Sequence, residues 1–136
     1  MGTKIFVNLP VKSLDRSMEF FKRLGFSFNP HFTDETAACM VISDDIYAML
    51  LTHAKFKAFT PKTICDATKS TEVLIALSCE SRQHVDDLVR KAIAAGGSVY
   101  AERKDYGFMY QHGFQDPDGH IWELIWMDPK GIPQQG

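Results

Sequence analysis

Residues 71–97 read TEVLIALSCESRQHVDDLVRKAIAAGG, and residues 4–25 read KIFVNLPVKSLDRSMEFFKRLG. In the first stretch, Thr71 to Cys79 alternates with the period of a strand. Ser81 then stands where a helix N-cap is wanted, and Val85, Leu88, Val89, Ala92 and Ile93 form one helical stripe that stops at Gly96-Gly97. The second stretch has the same grammar. Ile5, Val7 and Leu9 alternate with Phe6 and Asn8, Ser13 is the cap, Asp15 suits the positive end of the helix dipole, and Leu14, Met18, Phe21 and Leu24 make the stripe before Gly25. Laying Leu9 on Leu77 also lays Phe6 on Leu74 and Ser13 on Ser81 without a gap. The chain is an internal duplication, although few residues are identical.

Three strand candidates follow each helix: Phe26 to Phe32, Ala37 to Ser43 and Ile46 to Thr52 in the first half, and Ser98 to Arg103, Phe108 to Gln115 and His120 to Met127 in the second. Ser43-Asp44-Asp45 and Asp116-Pro117-Asp118-Gly119 carry turn chemistry, which predicts antiparallel hairpins. The fold expected is α+β, with pseudo-repeats at about 3–53 and 71–128 and a connector over 54–70. A chain of 136 residues with 45% hydrophobic composition buries one core, so the two halves are expected to form one domain over 1–136. The tail from Asp128, with Pro129, Gly131 and Pro133, is expected to be mobile.

The formal charge of -2 gives no broad positive field, and the basic residues form no run, so nucleic acid is excluded as a first expectation. No apolar stretch is long enough for a bilayer, and Met1 to Val11 lacks the pattern of a signal peptide. Cys39, Cys65 and Cys79 are odd in number and widely spaced. They read as reduced thiols, which favours a cytoplasmic chain.

The Leu14-Asp15-Arg16-Ser17 helix opening, the Phe20-Phe21…Leu24-Gly25-Phe26 helix exit and the run Asp116-Pro117-Asp118-Gly119-His120-Ile121-Trp122-Glu123 together resemble the glyoxalase, bleomycin-resistance and extradiol-dioxygenase superfamily, also called the vicinal-oxygen-chelate superfamily. The resemblance covers essentially the whole chain. It implies tandem βαβββ modules whose sheet curls into an open cup, completed in a homodimer. In metal-dependent members each half supplies two inward ligands, from its first and last strands. The resemblance places these positions on Phe6, on or near Leu50, on Leu74 and on Glu123. Only Glu123 offers a donor suited to a divalent metal, because phenylalanine and leucine have no lone pair to give.

Glu123 shares its strand face with Ile121, Ile125 and Met127. A carboxylate among apolar neighbours is either a cup-facing acid–base or binding group or an exposed salt-bridge partner. Asn8 shares the face of Phe6 and either orients a ligand or satisfies a backbone group. Tyr110 and His112 belong to an aromatic strip with Phe108 and Phe114 that either walls a pocket or packs in the core; in the opposite register, Met109 and Gln111 take that place. The expected function is binding of a small organic ligand in the cup without the usual divalent metal. The alternative is a metal-dependent lyase or isomerase of the lactoylglutathione lyase type, with Glu123 as ligand or acid–base residue.

Overall fold

The computed structural model describes residues 2–130; Gly131 and Pro133 of the expected tail lie outside the described residues. The chain divides between Asp66 and Ala67 into two compact units.

The first unit contains β1 (Ile5–Val11), α1 (Leu14–Arg23), β2 (Ser27–Asn29), β3 (Ala37–Val41), β4 (Ile46–Thr52) and α2 (His53–Lys57). Its sheet has the order β1-β4-β3-β2. β1 runs parallel to β4 because α1 and two strands intervene, while the short links make β2–β3 and β3–β4 antiparallel. The Ser13 hydroxyl accepts the Arg16 N–H at 3.3 Å and starts α1. The helix leaves through Gly25 at φ +103°, a conformation that costs glycine nothing. Its buried face is Leu14, Ser17, Phe20 and Phe21, rotated from the expected stripe so that Met18 is only half-buried. Phe20 and Phe21 meet edge to face, with ring centres 4.9 Å apart, so both rings fit under one helix.

Two expectations in this unit change. The strand expected over Phe26 to Phe32 stops at Asn29: Pro30 has no N–H for a ladder, and the Asn29 side chain accepts the His31 N–H at 2.9 Å, closing a 3-10 turn over Pro30–Phe32. The start of the expected connector is helical, since Thr52 caps α2 by accepting the Lys55 N–H at 3.2 Å.

The second unit repeats the plan with β5 (Leu74–Ser78), α3 (Arg82–Ala94), β6 (Lys104–Asp105), β7 (Met109–Gln115) and β8 (Ile121–Met127), ordered β5-β8-β7-β6 with β5 parallel to β8. Ser81 caps α3 by accepting the His84 N–H at 3.0 Å, as expected. Val85, Leu88, Val89 and Ala92 are its buried face, opposite Tyr110, Phe114, Trp122 and Leu124 of the sheet. The strand expected over Ser98 to Arg103 reduces to one bridge between Ser98 and Gln115; regular pairing resumes only at Lys104.

The Asp116-Pro117-Asp118-Gly119 turn is structural. One oxygen of Asp116 accepts the backbone N–H groups of Asp118 and His120 at 3.0 and 3.1 Å, and the other accepts the Trp122 indole N–H at 3.1 Å. Burial nevertheless pushes the Asp116 carboxyl above its ordinary range, with neighbouring His120 opposing. Gly119 sits at φ +90°, and a Cβ there would lie 2.8 Å from the Ala67 carbonyl oxygen. The glycine thus lets the turn press directly on the connector backbone. No helix among the described residues is long and apolar enough to cross a membrane.

Candidate functional site

Strand side chains alternate between faces, so register decides which residues meet. In the second sheet, Glu123 pairs with Ala76 on one side and Gly113 on the other. Ile121 and Ile125 lie two residues away along β8, on the same face, which is turned away from α3. Glu123 therefore stands in an apolar floor, and the two residues beside it across the sheet are about the smallest available. The Gln111 side-chain N–H donates to Glu123 Oε2 and fixes the carboxylate with a neutral partner.

Gly113 admits a further group. A Cβ at this position would collide with the Tyr100 hydroxyl and approach the Trp122 carbonyl to 2.6 Å, so only glycine lets the phenol lie over the strand here. Burial, and then the charge of Glu123, hold the Tyr100 hydroxyl above its ordinary pKa and keep it a proton donor. Tyr100, Glu102, Lys104, Gln111 and Glu123 line a concavity of about 80 Å³. That admits one functional group of a ligand and not its whole body, since small-molecule sites span roughly 300–1,000 Å³.

Leu74 lies on the same face as Glu123, one pair along, where it is 53% exposed. Tyr110 and His112 lie on alternate positions of β7. Their register with Trp126 and Leu124 sets them on the opposite strand face from Glu123, and of the two only His112 lines the concavity. The Tyr110 hydroxyl donates to Asp86 of α3 at 2.6 Å. His112 is half-buried, and burial lowers its pKa, with Asp86 opposing and Arg103 adding to the shift.

In the first sheet, Phe6 and Asn8 are exposed on the face turned away from α1, in register with Tyr47 and Met49. The Phe6 and Tyr47 rings are tilted at 48° with centres 4.8 Å apart. Leu50 is fully buried on the other face beside Leu9, and of the residues on or near Leu50 it is Met49 that lies on the face of Phe6 and Asn8. Asn8 pairs with Met49 as Ala76 pairs with Glu123, so Met49 is the counterpart of Glu123. Sequence alternation showed that one of these neighbours faced each way; only the hydrogen-bond ladder showed which.

The four positions that the family resemblance makes metal ligands thus hold Phe6, Met49, Leu74 and Glu123. Neither pair, Phe6 with Met49 in the first unit or Leu74 with Glu123 in the second, offers the nitrogen, oxygen or thiolate donors that a divalent ion needs, Glu123 apart. Among the described residues no group of three His, Cys, Asp or Glu side chains comes together as an alternative. The residues that sequence reasoning missed are Tyr100 and Gly113. A lone glycine inside an otherwise bulky strand was the available signal that something approaches the backbone there.

Residues 3–43 match the family of bleomycin resistance protein-like N-terminal domains. Among solved structures, the chain is similar to the hypothetical protein SA1046 from S. aureus, at 30% identity over 93% of this chain and 95% of that one, with a TM-score of 0.78. It is also similar in fold to a glyoxalase/bleomycin resistance protein/dioxygenase family enzyme from Burkholderia phytofirmans PsJN, at 16% identity, coverage of 90% and 96%, and a TM-score of 0.74. A third similar fold is the fosfomycin resistance protein FosX from Listeria monocytogenes, at 18% identity, coverage of 100% and 96%, and a TM-score of 0.67. No curated protein sequence matches the chain.

Proposed function

We propose that this chain, which belongs to the glyoxalase/bleomycin-resistance/dioxygenase superfamily, binds a small organic ligand at the Glu123 face of its second sheet and does so without a resident divalent metal. The observation that carries this reading is the carboxylate held by Gln111 in an apolar floor between Ala76 and Gly113. Such a group recognises a hydrogen-bond donor on a ligand whose apolar body lies on exposed Leu74 and its neighbours. Glu123 Oε2 is taken by the amide, and Oε1 makes no hydrogen bond among the described residues, so one acceptor remains for the ligand. Tyr100 supplies a hydroxyl beside it that both donates and accepts.

The donor chemistry at Phe6, Met49 and Leu74 supports the metal-free part of the reading. Elemental analysis of protein purified without a metal-affinity tag, followed by titration with Zn²⁺, Ni²⁺, Mn²⁺ and Fe²⁺, is expected to show no stoichiometric tight binding. One ion per chain, lost in Glu123→Ala, would replace this reading with a metal-dependent lyase or isomerase in which Glu123 is a ligand. A thermal-shift screen of small apolar and amphipathic compounds tests the binding itself. Hits are expected to lose their effect in Glu123→Gln or when Leu74 is replaced by Asp, and a set of hits indifferent to both changes would move the site elsewhere.

A further inference from the structure

Resting on that reading, we infer that the group received beside Glu123 is a protonated nitrogen: the ligand class is a small organic cation, an ammonium carried on an apolar body, and Tyr100 is a residue that selects it. The first ground is charge. Glu123 is fixed by the Gln111 amide and not by a cation, and among the described residues it stands in no ion pair. Its negative charge therefore remains available in a half-buried concavity, where attraction to a cation is stronger than in open water. The lining sets the carboxylates of Glu102 and Glu123 against the ammonium of Lys104, and burial disfavours the charged form of His112, so the lining as a whole disfavours an anion.

The second ground is shape. The concavity that Glu123 lines with Tyr100, Gln111 and Gly113 is sized for a single head group, and on the other side of Glu123 the same sheet face carries Ala76 and then exposed Leu74, paired with Ile121. An ammonium with a short apolar arm matches that division, because its charged end fills the concavity while its body lies along β5 and β8. The third ground is Tyr100, whose hydroxyl lies over Gly113 next to Glu123. Its oxygen accepts from an ammonium while the aromatic face attracts positive charge, so the phenol and the carboxylate favour the same ligand group. A neutral hydroxyl would use the same acceptors and gain neither charge term; a carboxylate ligand would be repelled by Glu123.

The test uses three probes of matched size, benzylamine, benzyl alcohol and benzoate, at one ionic strength, with binding read from amide chemical-shift changes on the intact chain. Benzylamine is expected to bind about 10-fold or more tightly than benzyl alcohol, the difference that a charge-assisted hydrogen bond makes over a neutral one, and benzoate not to bind. Glu123→Gln, which keeps an acceptor for Gln111, should erase the preference for the amine while leaving the weak alcohol binding. Tyr100→Leu should weaken the amine several-fold and the alcohol less. Equal affinity for amine and alcohol, or preference for benzoate, overturns the cation inference and leaves the ligand-binding reading standing. No binding by any probe also overturns it, and the broader thermal-shift screen then decides the ligand-binding reading separately.

Discussion

The two sheets have the same strand order and the same parallel first-to-last pairing, yet their two faces have diverged to different extents. On the helix-covered faces, Leu9 pairs with Leu50 as Leu77 pairs with Leu124, and Met40 answers to Phe114. On the faces turned away from the helices, Met49 between Asn8 and Cys39 answers to Glu123 between Ala76 and Gly113. The polar and small positions have been exchanged. In the first unit the middle residue is an uncharged thioether between an amide and a thiol; in the second the middle residue is charged and its neighbours have receded. A helix-packed face is held to apolar residues of matching volume by the cost of a cavity or a buried charge, whereas an open face is free to acquire chemistry. One exception on the covered side is informative: Ala38 answers to His112, a half-buried imidazole within the electrostatic influence of Asp86 and Arg103.

If the covered faces are the shared scaffold, Leu50→Ala and Leu124→Ala should each cost about 3 kcal/mol in urea unfolding, the usual range for a fully buried leucine. A large disparity between them would show that the two cores are not equivalent. The faces turned away from the helices give a smaller and asymmetric effect. Gly113→Ala is expected to cost about 2 kcal/mol, because its Cβ meets the Trp122 backbone carbonyl as well as a movable phenol. Cys39→Ala, at the counterpart position where a side chain already fits, should cost about 1 kcal/mol. Equal costs would remove the argument that Gly113 was selected for the close approach of Tyr100.

The smallest effect concerns His112, which has an alanine as its counterpart. Burial lowers its pKa in the folded chain below the unfolded value near 6.5, so the unfolded state takes up a proton first as pH falls. The associated stability is present above the unfolded pKa and is lost as pH drops through the lower folded value. Thermal midpoints should therefore fall between pH 7 and pH 5, and the fall should be shallower in His112→Gln. An unchanged slope would place the acid sensitivity elsewhere.

The strand–helix repeats, both serine caps, the Asp116–Gly119 turn and the shared face of Ile121, Glu123 and Ile125 were legible in the linear order of residues. Each depends on groups only a few positions apart: alternation, i to i+3 capping, or a carboxylate bonding the N–H two residues on. The family resemblance was legible for the same reason, since its most specific motif is a local turn. Which face each strand turned to the helix was decided only in three dimensions. Alternation is blind to a choice between Met49 and Leu50, or between Gln111 and His112, until a partner strand sets the register and a helix covers one side. Tyr100 was beyond local reasoning altogether. Its place over Gly113 arises because residues 99–103 leave the ladder after a single bridge and return across β7, a long-range contact that no periodicity encodes.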